Sequence, residues 1–173
     1  MTWSTHLMAG LSALWIMEAL PASQPENMAL LAGAAALGSL LPDLDASESK
    51  VKHLSVAGIK PFLLPSQAIY GQFGHRTFLH SLAGLAFCAS SCLLLSPFTG
   101  WQVALALWLG YASHLAADAL TRSGIPWLYP NHRRFHLLPP RLRLTTGSQA
   151  EEVVFVLLSL SALLLMLRHL PVQ

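Results

Sequence analysis

Charge is what this sequence is short of. Asp, Glu, Lys and Arg make up 10% of its 173 residues, against roughly 25% in an average globular chain. That deficit excludes an ordinary soluble domain, whose surface needs charge for solvation. Cysteine is scarce as well: Cys88 and Cys92 are the only two. They sit one helical turn apart inside an apolar run, where free thiols behave as small packing residues. Neither a disulfide framework nor a zinc knuckle can be built from them. Absent too are a GxSxG nucleophile elbow, a P-loop and a Gly-rich dinucleotide fingerprint, each of which marks its own chemistry. The first residues carry no Lys or Arg, and no small-residue cleavage site follows a short apolar core, so no signal peptide is expected.

What is present is hydrophobic residue, 54% of the chain, gathered in runs. Five segments approach the ~17–25 apolar residues a membrane helix needs. They fall near 4–20, 26–42, 78–96, 101–121 and 151–168. The first two are shorter and interrupted by Glu18, Pro21 and Pro25, as in a tilted hairpin. The second, MALLAGAAALGSLL, carries Ala34 and Gly38 at small-xxx-small spacing, which suits close helix packing. No internal repeat or low-complexity tail is visible. The expectation is an all-α integral membrane bundle of about five helices, forming one domain over 1–173.

Five helices place the long loops 43–77 and 122–150 on one side of the bilayer. Those loops hold Lys50, Lys52, Lys60, Arg76, Arg122, Arg133, Arg134, Arg141 and Arg143, and only Arg168 lies elsewhere. The positive-inside rule then puts both loops and the N-terminus in the cytoplasm. Residues 46–72 have the character of a short amphipathic helix at the interface. Loop 122–150, punctuated by Gly and Pro, reads as an ordered cap.

Polar residues collect at the same ends. His6 lies in the first turn of segment one, and Asp43 and Asp45 follow segment two. His75 precedes segment three and His80 sits in its first turn, at N3 if Thr77 is the N-cap. His114 and Asp118 share a helix face at i,i+4, and Glu151 and Glu152 open segment five. In an extended segment Asp43 and Asp45 would point to the same side. Plainer readings exist: His6 as a capping group, the aspartates as a helix stop, His75 and Arg76 as lipid-phosphate anchors, the glutamates as helix N-terminal charge. Ionisable groups inside membrane helices are nevertheless expensive and usually functional. Imidazole and carboxylate are the usual ligands of zinc and related divalent ions, and such an ion supplies hydroxide at neutral pH with no need for serine or cysteine.

The fragments THL, LLPDLD, FGHRTFLHS, GYASHLAADALT, GIPWLYP and GSQAEE together resemble the YdjM-like family, described as LexA-regulated, inner-membrane, metal-dependent hydrolases. The correspondence runs over nearly the whole chain. Thr77 and Leu79 stand where the family usually has Gly and Thr, and Arg122 where Pro is common. A more distant similarity, carried by the His-xxx-Asp element at His114 and Asp118, is to zinc-dependent phospholipase C and P1-type nucleases. The resemblances imply phosphoester hydrolysis at the cytoplasmic face of a bacterial inner membrane. On the residues, the ligands of one or more divalent ions, with zinc expected first, are drawn from His6, Asp43, Asp45, His75, His80, His114, Asp118 and Glu151. Asp45 or Glu151 would accept the proton, and Arg76, Arg133 and Arg134 would hold the phosphate of a lipid or other phosphoester. The bilayer is the expected partner and nucleic acid is not. The rival readings are a divalent-metal transporter and a membrane protein with a purely structural metal site. Few polar groups occupy the opposite half of each helix, which argues against a path through the membrane.

Overall fold

The computed structural model describes residues 1–20, 27–45 and 77–169, and all five apolar segments are helical within them. Segment one is α1 (Trp3–Ala13), followed after Leu14 by a single turn, α2 (Trp15–Glu18). Segment two is α3 (Met28–Leu40), segment three α4 (Leu82–Thr99), segment four α5 (Trp101–Ala119) and segment five α6 (Gln149–Arg168). No strand forms among the described residues; two isolated bridges, Thr121 with Leu144 and Ile125 with Phe135, tie the loop after α5.

Helix α5 is the centre of the bundle, packed on α1, α3 and α4, while α6 packs on α1. Its inward side mixes small and large residues (Ala104, Ala106, Leu109, Gly110, Tyr111, Leu115), all buried. Between α3 and α5 the backbones touch. A Cβ on Gly110 would stand 2.1 Å from the Ala35 carbonyl oxygen, and one on Gly38 2.0 Å from that of Leu107. The small-residue spacing in α3 is therefore a helix contact, as the sequence indicates. From α4 the chain enters α5 through Gly100 alone, at φ +86, a conformation that glycine adopts without a Cβ penalty.

Helices α4 and α6 are long and apolar enough to cross a membrane. Their outward faces are oil: Leu93 and Leu94 are each 75% exposed and Phe98 87%. Along α6, Val153, Leu157, Leu160 and Leu164 form the equivalent stripe. Exposed apolar faces this extensive mark a surface made for something other than water, and on helices long and apolar enough to cross a membrane they suit lipid.

Two local expectations are corrected. Helix α4 begins four residues later than 78, because Ser81 and not Thr77 is its N-cap. The Ser81 hydroxyl accepts from the Gly84 N–H at 3.3 Å and donates to the Phe78 carbonyl at 2.6 Å. His80 thus precedes the helix, in a turn closed by the Ser81 N–H on the Phe78 carbonyl. Secondly, Asp43 and Asp45 are not in an extended segment. Pro42–Asp45 is a 3-10 turn, so alternation cannot put both side chains on one side. The side chain of Asp45, all of His75 and Arg76, and the amphipathic segment expected over 46–72 lie outside the described residues.

Candidate metal centre

Three helices and two turns meet around His114. The α3–α5 contact lays the end of α3 against the last turns of α5, and the His114 Nδ1–H donates to the Ser39 carbonyl at 2.7 Å. A carbonyl can only accept, so this bond fixes the neutral tautomer and leaves the Nε2 lone pair facing inward. Metal-bound histidines are oriented in this way by a second hydrogen bond. The turn before α4 brings His80 to the same place, held by the Tyr111 hydroxyl, which donates to the Leu79 carbonyl at 2.5 Å. His80 Nε2 then lies 3.3 Å from His114 Nε2.

Two carboxylates close the group. Asp43 Oδ1, from the turn after α3, is 3.8 Å from His80 Nε2 and 3.7 Å from His114 Nε2. Asp118 Oδ2, one turn along α5, is 3.8 Å and 3.9 Å from the same two nitrogens. Zinc–ligand bonds of ~2.1 Å in a tetrahedron separate neighbouring ligand atoms by about 3.4 Å. Each carboxylate oxygen lies 3.7–3.9 Å from both nitrogens, and the nitrogens lie 3.3 Å from each other, spacings that suit ligands of a divalent cation whose two positive charges would balance the two carboxylates. The donors are borderline imidazole nitrogen and hard carboxylate oxygen, the set that zinc and manganese accept. His80, His114 and Asp118 side chains are fully buried, whereas Asp43 is 24% exposed; access is from the Asp43 edge.

His6 joins from α1 on the other side of Asp118. Its ring stacks on His114 with centroids 3.7 Å apart, and its Nε2 is 3.3 Å from Asp118 Oδ1. The Met1 ammonium is 2.6 Å from the same oxygen. His6 Nδ1 is buried with no hydrogen-bond partner among the described residues. Two triads able to hold an ion therefore share His114: His6 with His114 and Asp118, and Asp43 with His80 and His114.

Glu151 belongs to neither triad. Its carboxylate accepts from the Thr2 N–H at 2.5 Å and the Gly147 N–H at 2.6 Å, clamping the start of α1 to the start of α6. Arg133 and Arg134 are exposed in the loop that caps α5, where the Leu137 N–H donates to the Ala119 carbonyl at 2.8 Å. Sequence reasoning missed the Ser39 carbonyl, the Tyr111 brace and the Thr2 contact. The only trace of the first was the small-residue spacing of α3, which brings that carbonyl within reach.

The chain matches the family model described as YdjM inner membrane protein over residues 1–170. It is 32% identical over 163 residues to the uncharacterized protein YvsG of Bacillus subtilis, covering 94% of this chain and 92% of that one. With the inner membrane protein YdjM of Escherichia coli it shares 36% identity over 128 residues, 69% of this chain and 58% of that protein. The inner membrane protein YdjM of Shigella flexneri matches equally. No solved structure matches. Family match and full-length similarity agree with the helical architecture: the chain belongs to the YdjM inner membrane protein family.

Proposed function

We propose that this membrane protein is a metal-dependent hydrolase acting on a phosphoester, with Asp43, His80, His114 and Asp118 holding the ion. The observation that carries this reading is the pair of triads that share His114, with one partly exposed edge at Asp43. A structural site is closed on all sides, while a catalytic one keeps a position for water or substrate, and the exposure of Asp43 favours the second. An ion there would polarise a phosphoryl oxygen and supply a nucleophile at neutral pH. The chain's own residues do the rest. Ser39 and Tyr111 fix the two histidines, and His6 holds Asp118 from its far oxygen. Asp45, in the same turn as Asp43, is assigned to proton acceptance. Arg76, Arg133 and Arg134 are assigned to the phosphate, whose oxygens guanidinium groups match. Because both Glu151 oxygens accept from backbone N–H groups, we assign it to positioning rather than to the proton-acceptor or ligand role its sequence also allows. The orientation that follows from the positive loops is multi-pass, with the site facing the cytoplasm.

The test is hydrolysis of a panel of phospholipids and soluble phosphodiesters by the zinc- or manganese-loaded protein in detergent. Phosphoester cleavage that disappears in a folded His114→Ala variant is expected. A metal-loaded protein that cleaves no member of the panel would overturn the assignment.

A further inference from the structure

A cavity of about 270 Å³ lies between α4, α5 and the turn after α3. Its wall is almost wholly apolar: Leu44, Leu79, Cys88, Cys92, Leu95 and Tyr111 are among the lining residues. Three of these are tied to the metal centre. Leu44 follows Asp43 and Leu79 precedes His80, while Tyr111 sits one turn before His114 and braces Leu79. From there the cavity runs along α4 to Leu95, about 12 Å from Phe87 at 1.5 Å per residue. Phe87, 61% exposed, and Leu95, 55% exposed, also line it, so its mouth is continuous with the lipid-facing side of a membrane-spanning helix. One end is walled by the chain neighbours of Asp43 and His80, and the side is open to hydrocarbon.

We propose that this cavity takes one acyl chain of a bilayer phospholipid, and so brings that lipid's phosphate to the histidine–aspartate cluster. The inference rests on the reading of the cluster as a phosphoester site and names its substrate class. A water-soluble ligand would gain nothing from a slot lined by leucines and buried thiols. An alkyl chain gains about fourfold in occupancy for each methylene removed from water when a lipid is drawn from a dispersed state. Within a bilayer it gains instead by filling a void that would otherwise lack packing partners.

The experiment uses the full chain in vesicles of phosphatidylethanolamine and phosphatidylglycerol, doped with phosphatidylglycerol bearing a photoreactive diazirine on one acyl chain. Adducts are mapped by mass spectrometry. With the diazirine beside the ester, adducts are expected at Leu41, Leu44 and Leu79; with it halfway along, at Cys88 and Cys92. Ser91→Trp, which fills the middle of the cavity, is expected to remove the Cys88 and Cys92 adducts and leave those on outward Leu93 and Leu94. Wild-type labelling confined to Leu93, Leu94 and Phe98, whatever the diazirine position, would overturn the proposal and leave the slot to a second copy or another segment of the chain. Metal content is read on the same samples. Graded labelling without any metal keeps the acyl-chain assignment and sinks the hydrolase reading, whereas outward labelling with metal bound does the reverse.

Discussion

At the scale of single residues, the centre depends on atoms that approach closer than side chains allow. The Ser39 carbonyl reaches His114 because Gly110 lets the α3 backbone lie against α5. Gly110→Ala puts a methyl 2.1 Å from a backbone oxygen, which cannot move without moving the helix. We expect it to lower stability by about 1–3 kcal/mol and to weaken metal binding as the His114 tautomer loses its partner. Gly33, with nothing within 4 Å of an added Cβ, is the control: Gly33→Ala should be neutral or slightly stabilising, since Ala is the better helix former. Thermal unfolding in detergent, with and without zinc, separates the two. His114 and Asp118 were legible in the sequence because an imidazole and a carboxylate four apart, near the end of an apolar run, are costly to bury unless they serve a site. Ser39 was not, because a main-chain carbonyl leaves no letter in the sequence and its role follows from a helix crossing.

At the scale of elements, the helices were legible from their apolar runs and their starts were not. The run of 78–96 reads as helix from its first apolar residue. Ser81 decides otherwise, capping Gly84 and leaving His80 in a turn that Tyr111 holds. That difference frees His80 from helix periodicity. The start of α6 was read correctly as polar and its purpose only in part. Ser148 caps it, accepting from the Glu151 N–H at 3.4 Å, and the Glu151 carboxylate reaches back to α1. Replacing Glu151 by Gln turns one accepting oxygen into a donor facing a backbone N–H. We expect a loss of about 1–3 kcal/mol, the cost of a buried group left unsatisfied, with metal stoichiometry unchanged. Loss of the metal with little change in melting temperature would show instead that Glu151 is a ligand.

At the scale of the whole molecule, the layout separates two tasks. Helices α4 and α6 present leucine-rich faces outward, while α1, α3 and α5 gather the ionisable groups at one end of the bundle. At the other end Glu18 pairs with His169 and with Arg168, the latter at 3.3 Å. Arg168 also lies over the Trp15 ring, 5.3 Å from its centroid. That cluster ties α2 to the end of α6 and shares no residue with the two triads around His114. Among the described residues the sparse charge therefore gathers toward the two ends, and the end where three histidines and two aspartates form two triads around His114 is where chemistry is expected. The most direct test is metal content by mass spectrometry on the detergent-purified protein, beside an equally folded His80→Ala, Asp118→Ala double variant. Stoichiometric zinc or manganese in the wild type, lost in the variant, is the predicted result; no metal in either after incubation with excess zinc and manganese would contradict the account.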